Sequence, residues 1–320
     1  MPKANLAARR AIEPWSIRTP WLVPSLSTRN EVMPLDAYPR VKRMLRPGML
    51  VSLYDLKNLA MIDDRPTPRT PVIYDSGGYE IRDPRLLKRW QKWTQPDYIR
   101  AAKTLDWSLP GVLTTFDSLR PGSLDKQIDA GRRLHKTFPD AAIDFLVKPK
   151  KHGENLSMED VQQRADDLSQ FSVLGVTEDE LGESMFQRCQ NLIGLRSALT
   201  AANRNTPIHV FGCLDPIPLV LYFLCGADVF DGLQWLRNLY VPGGMVRRQT
   251  DAVLQGTWRD PDGDRLVGWT RNLAHLEILT RELNDYCEHE DPEVLKTVAP
   301  AMDRIREVMT AVGAPLKDGF

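Results

Sequence analysis

A predominance of either charge is missing from this chain: its 320 residues carry 42 basic and 42 acidic side chains, a formal net charge of +0. No global field draws it to nucleic acid, so any such binding must rest on a local patch. Cysteine is scarce. The four present, Cys189, Cys213, Cys225 and Cys287, lie far apart without C-x-x-C spacing. That argues against a disulfide framework and a thiolate zinc site, and for reduced thiols in a cytoplasmic setting. Long apolar runs are also lacking. The most apolar stretch, from Ile217 to Phe230, is broken by Pro218, Gly226 and Asp228 and is too short to cross a membrane. The N-terminus, with Lys3, Arg9 and Arg10 and no apolar centre, does not read as a secretory signal. Repeats, linkers and low-complexity tracts are absent apart from a Pro/Arg-rich loop at 63–71. What is present is 42% apolar and 26% charged residues, enough for a large core and too apolar for wholesale disorder.

Strand-like and helix-like runs alternate. Eight apolar runs read as strands: Trp21-Leu-Val-Pro-Ser, Met49 to Tyr54, Val72-Ile-Tyr before Asp75, Gly111 to Phe116 before Asp117, Ile143 to Val147 before Lys148, Ser172-Val-Leu before Gly175, Ile208 to Phe211 before Gly212, and Asp228-Val-Phe before Asp231. Helical patterns at 124–137, 158–169, 181–203 and 219–225 separate the later ones. Strands alternating with helices imply parallel pairing through right-handed crossovers. Eight such strands predict an α/β (β/α)8 TIM barrel, with an open doubly wound sheet as the alternative. One domain accounts for residues 1–320, the barrel at roughly 19–285 and a helical tail at 286–320. The stretch 266–312 reads as two long helices packed outside.

Two stretches stand out chemically: Tyr74-Asp75-Ser76-Gly77-Gly78-Tyr79-Glu80 and Ala227-Asp228-Val229-Phe230-Asp231-Gly232. Each runs apolar, then aspartate, then glycine, as a buried strand does when it delivers a carboxylate to a barrel rim. Two carboxylates on one sugar can serve as nucleophile and as acid or base. The plainer readings are a turn for Asp-Ser-Gly-Gly and a helix cap for Asp117. On a continuous strand Asp228 and Asp231 face opposite sides, so only one of them reaches a shared site.

Taken in order, Tyr74-Asp-Ser-Gly-Gly-Tyr79, Thr115-Phe-Asp117, Val210-Phe-Gly212 and Gly226-Ala-Asp-Val-Phe-Asp231 with Trp235-Leu-Arg237 resemble the signature segments of the tRNA-guanine transglycosylase superfamily, over roughly residues 19 to 285. Within it, Ile208-His-Val-Phe-Gly-Cys-Leu-Asp-Pro and Gly175-Val-Thr-Glu-Asp-Glu-Leu-Gly are similar to the branch that inserts 7-deazaguanine bases into DNA. The resemblance implies a (β/α)8 barrel exchanging guanine in nucleic acid for a 7-deazaguanine base by double displacement. It makes Asp231 the nucleophile and Asp75 the general acid/base. Asp117 would read the guanine edge, Tyr79 and Phe211 would sandwich the base, and Ser76, Gly78, Gly175, His209 and Gly212 would line the pocket. Phe211 and His209 read equally well as core residues.

The chain departs from the family pattern where transglycosylases carry Val-Gln-Gly-Gly. Here stands Val147-Lys148-Pro149-Lys150, so a donor-only lysine faces the base or a phosphate. The family's zinc motif is not found: no cysteine lies between Trp258 and Trp269, Arg271 stands about where its histidine would, and Cys287 with His289 reads as a solvated helix end. The expectation is no metal and no cofactor. Two basic clusters would carry a polynucleotide: Arg85, Arg89 and Lys92, interleaved with Trp90 and Trp93, and Arg237, Arg247 and Arg248. Their plainer reading is a solvated helix face. DNA is favoured over tRNA as the acceptor, with a 7-deazaguanine base as the small substrate and no membrane. A tRNA substrate, a non-catalytic base-binding partner subunit, a free-nucleoside enzyme and a requirement for a helper protein stay open.

Overall fold

A computed structural model describes residues 6–29, 34–58, 65–81, 93–118, 120–151, 153–202, 204–256, 258 and 261–315. Eight strands close into a barrel: β1 Trp21–Leu26, β2 Met49–Ser52, β3 Val72–Asp75, β4 Gly111–Thr114, β5 Ala142–Leu146, β6 Val173–Thr177, β7 Ile208–Phe211 and β8 Val229–Gly232. Each pairs in parallel with its neighbour, and β8 returns to β1 through Phe230 opposite Leu22 and Asp231 opposite Val23. The expected (β/α)8 barrel is the observed one.

Alternation along each strand sorts residues to the two faces of the wall. Trp21, Val23, Leu50, Ile73, Val112, Ala142, Leu146, Val173, Phe211 and Val229 form one cluster inside the barrel. The intervening Leu22, Val51, Tyr74, Leu113, Ile143, Phe145, Leu174, Val176, Val210 and Phe230 belong to the larger layer between strands and helices. The same period turns Ser25, Asp75, Asp144, His209 and Asp231 inward. These five polar side chains are stacked above and among an apolar plug, and that placement is what builds a site. Ile12, in a two-residue pairing with Ile17, joins the inner cluster.

Three elements of the barrel depart from the sequence expectation. The run from Met49 ends as a strand at Ser52, and Leu53–Asn58 is helical, because Asp55 folds back onto the Ser52 hydroxyl. Gly175 lies inside β6 rather than after it. The helical pattern at 158–169 is two short helices, Met158–Gln163 and Ala165–Leu168, separated at Arg164. The helices over the later strands follow the pattern closely: α1 Leu124–Thr137, α2 Met185–Ala201 and α3 Pro216–Leu224. Ser184 caps α2 by accepting from Gln187 N–H, and Asp215 caps α3, which starts on Pro216.

Apolar almost all round, α3 has to be covered on its outer side as well. The C-terminal segment does this. It consists of the 29-residue α4 Pro261–His289, two 3-10 turns and the ten-residue α5 Met302–Ala311, so the second tail helix is short rather than long. Among the described residues no helix is long and apolar enough to cross a membrane.

Asp228 anchors the start of β8. It takes Arg10 and Arg196 guanidinium groups at 2.6 Å each and the Ile208 N–H at 2.8 Å, fully buried. Burial drags the Arg196 pKa down to about 10 although Asp228 opposes the shift. Asp228→Ala leaves two cations facing each other without a counter-charge. We expect a loss of about 3–5 kcal/mol in unfolding free energy, the range for breaking a buried pair. A urea titration against wild type measures it, and an unchanged midpoint would refute the structural role.

Candidate functional site

The C-terminal ends of the strands carry the site. Asp75 closes β3, where its Oδ2 accepts the Gly77 N–H at 2.9 Å. Gly77 adopts φ +85°, which turns the chain sharply enough to present that donor. A side chain there would also strike Tyr54 Cβ at 2.6 Å. The Asp75 pKa is pushed up to about 6, chiefly by burial; the charges of Asp117 and Asp231 add to the rise and the Gly77 N–H opposes it. Both neighbours act on it, so the three carboxyl groups share one field.

Asp231, on β8, is held at both carboxyl oxygens. Ser25 Oγ donates to its Oδ2 at 2.6 Å and the Gly212 N–H to its Oδ1 at 3.0 Å. His209 Nε2 stands 3.2 Å from the same Oδ1, without the alignment of a formed hydrogen bond. On the far side of the ring, Nδ1 meets Asp144 Oδ2 at 2.7 Å, both groups fully buried. Burial alone would lower the histidine pKa, yet Asp144 and Asp231 outweigh it and carry it up to about 9. The ring lies 3.8 Å from that of Phe211 at an interplanar angle of 29°.

The third corner is Asp117. Its N–H and that of Gly78 both donate to Ser76 Oγ, at 3.1 and 3.4 Å, which ties the loop after β4 to the loop after β3. Gly78 is required by space: a Cβ there would meet Asp117 Cβ at 2.5 Å. Lys148 Nζ lies 3.8 Å from Asp117 Oδ2 and 2.6 Å from Glu180 Oε2, with its side chain 5% exposed. Its backbone is clamped at both groups by the Gln127 amide, at 3.0 and 2.9 Å, from α1. Beyond Asp75, Glu80 is buried and raised well above the ordinary carboxyl range by burial first, then by Asp55 and Asp75. Ser27 Oγ donates to it at 2.5 Å.

The residues expected from sequence are thus brought together as follows. Asp75, Ser76, Gly78, Asp117, Lys148, His209, Phe211, Gly212 and Asp231 form one connected constellation. Gly212, at φ +85°, faces open space, since a Cβ there would meet nothing within 4 Å. At Gly175 the volume a Cβ would need is filled by Phe211 and Asp144, so its lack of a side chain seats the phenyl ring. Tyr79 is 40% exposed and its ring is covered by the Arg29 guanidinium at 4.2 Å. Arg237 and Arg247 are exposed. Arg248 is turned inward, donating to the Leu236 carbonyl and lying 5.9 Å from the Trp269 ring, so it is less free for phosphate than its sequence position suggests. Arg85, Arg89, Trp90 and Lys92 lie outside the described residues, whereas Trp93 is buried with its Nε1 on the Ser76 carbonyl at 2.8 Å.

Sequence reasoning did not single out Ser25, Asp144 or Glu180 as site residues. A signal existed for Asp144, a carboxylate in the middle of the otherwise apolar run Ala142-Ile-Asp-Phe-Leu146. Glu180 lies in the segment 175–182 that carries the resemblance, but beside Glu178 and Asp179 nothing marks it out and only the fold buries it. Asn272 of α4 fixes the segment after Asp231 from outside, donating to the Trp235 and Asn238 carbonyls at 2.7 Å each and accepting from Tyr240 N–H at 2.8 Å. Among the described residues, no group of three or more His, Cys, Asp or Glu side chains is arranged to hold a metal.

Chemically, the site offers one carboxylate fixed in place beside a cation, a second poised between protonation states, and a third next to a lysine. Compared with known families and with curated proteins, the chain matches no family model and no curated sequence.

Proposed function

We propose that the protein is a base-exchange transglycosylase that replaces guanine in nucleic acid, DNA in preference to tRNA, with a 7-deazaguanine base. The observation that carries this reading is the pair Asp75 and Asp231: two inward carboxyl groups, one held by two hydrogen bonds with His209 beside it and one with its pKa raised to about 6 by burial and, further, by the charges of Asp117 and Asp231. That is the division of labour a retaining double displacement needs.

Asp231 attacks C1′ as guanine departs, and the C1′–O bond replaces the C1′–N9 bond. Asp75 delivers a proton to the leaving base and takes one from the incoming base, which then displaces the carboxylate. Asp117 accepts from the N1–H and exocyclic amine of guanine, the flipped base lies against Phe211, and the exposed Arg237 and Arg247 meet phosphates. The preference for DNA rests on the resemblance of the segments around Gly175 and His209 to the DNA-modifying branch.

Incubating the protein with guanine-containing DNA and quenching under denaturing conditions is expected to trap a covalent protein–DNA adduct. Asp231→Ala and the near-isosteric Asp231→Asn are expected to give none. Absence of the adduct in wild type, or undiminished exchange in either variant, would refute the reading. Release of labelled guanine from DNA and from tRNA, measured side by side, decides the polymer.

A further inference from the structure

The geometry points to a second role inside the same site: we infer that the Asp144–His209 pair is a positioning device that stabilises Asp231 as a leaving group, and so governs the second displacement more than the first. This rests on the base-exchange reading and goes beyond it, since double displacement by itself requires no group behind the nucleophile.

Three observations carry it. His209 and Asp144 are fully buried in the barrel lumen, 2.7 Å apart, and a buried polar pair is a costly way to fill a core that apolar side chains would pack at least as well. The ring's second nitrogen, Nε2, is buried without an aligned hydrogen bond and has Asp231 Oδ1 3.2 Å away as its neighbouring acceptor. The packing that holds it there is specific. The Phe211 ring lies against the imidazole at 3.8 Å, and Gly175 is bare where any side chain would collide with Phe211 at 2.6 Å and Asp144 at 2.7 Å.

The two oxygens of Asp231 are therefore unequal. Oδ1 faces the Gly212 N–H and the imidazole; Oδ2 holds only the Ser25 hydroxyl. When Oδ2 bonds to C1′, Oδ1 becomes the carbonyl oxygen of a neutral glycosyl ester. When the incoming base nitrogen bonds to C1′, the C1′–Oδ2 electron pair returns to the carboxylate and charge reappears on Oδ1, opposite a cation and an N–H already in place. Preorganised donors of this kind act where charge develops. The same cation moderates the nucleophile in the first step, so its removal falls mainly on the second. The groups facing the imidazole are Asp144 from β5, Asp231 from β8 and the Phe211 ring from its own strand.

The test separates the steps. Single-turnover release of labelled guanine reports attack by Asp231, and incorporation of a 7-deazaguanine base into the preformed adduct reports its departure. In His209→Gln, which retains a neutral donor, departure is expected to slow by about 10²-fold relative to attack, so that adduct accumulates above the wild-type level. Asp144→Asn, which leaves the ring and its packing intact, is expected to shift the partition the same way, and it carries the test should His209→Gln fail to fold. An unchanged partition between the two steps, or parallel loss of both in the folded variants, overturns the inference and leaves the exchange reading standing. Failure of wild type to form any adduct removes both.

Discussion

Asp75→Asn is expected to lower guanine release and base incorporation by about 10²–10⁴-fold, the range for losing a general acid/base, while equilibrium binding of guanine changes little. Asparagine keeps the shape of the side chain but cannot pass a proton. The two half-reactions should also lose opposite pH dependences. On the base-exchange reading, guanine release requires Asp75 protonated and is expected in wild type to fall as pH rises through about 6; incorporation requires the ionised form and is expected to rise over the same interval. Both limbs should be flat in the variant. Stability moves the other way. The native pKa is raised from 3.8 to about 6 by burial, with Asp117 and Asp231 adding to it, so the protonated form is the one the fold favours. The stability this contributes is fully present below 3.8 and is lost as pH rises through about 6. Asp75→Asn should therefore unfold at higher urea than wild type at pH 7–8, with the difference vanishing below about pH 4. Limbs retained in the variant, or a lowered midpoint at neutral pH, would contradict the assignment.

The barrel was legible because each of its strands is a short apolar run ending near glycine or a charged residue, and the chain repeats that unit eight times. The aspartates were legible for the same reason: Asp75 and Asp231 each follow such a run with glycine close behind. What sequence could not supply was the partner of each group. His209 reads as core or as catalytic with equal ease, and only the register that brings Gly175 opposite His209 and Leu146 opposite Gly175 sets the Asp144 carboxylate against its ring. Ser25 precedes Asp231 by 206 positions, and the β8 to β1 closure is what joins them. The inward turn of Arg248 was not legible either, because it depends on a carbonyl at Leu236 and an indole face at Trp269 that only the fold brings to it. The tail was misjudged in length because Pro292 and Pro300 force 3-10 turns between its two α-helices.

Lys148→Met is expected to separate stability from recognition in a way that no variant of the carboxylates can. The ammonium group is nearly shut off from solvent between Glu180 and Asp117. Removing it leaves the buried Glu180 without the cation 2.6 Å away, at a cost of about 3–5 kcal/mol in unfolding free energy. The double variant Lys148→Met/Glu180→Gln removes the uncompensated charge of Glu180 and should recover much of that loss, since replacing both members of a buried pair is often neutral. Guanine binding follows another rule. If Asp117 spans N1–H and the exocyclic amine, the next atom on that edge is O6, an acceptor, and the cation 3.8 Å from Asp117 Oδ2 is placed to donate to it. Methionine cannot, so the double variant should stay weak, with a loss of about 1–3 kcal/mol in guanine binding, the scale of a good specific base contact. Discrimination against 2,6-diaminopurine, which lacks both the 6-oxo acceptor and the N1–H that Asp117 reads, should shrink by a similar amount but not vanish. Denaturant midpoints and equilibrium binding of the two free bases measure the two effects independently. A double variant that regains both stability and guanine preference would make Lys148 a purely structural counter-ion of Glu180. One that regains stability alone would make Lys148 a contributor, beside Asp117, to telling a 6-oxo from a 6-amino purine.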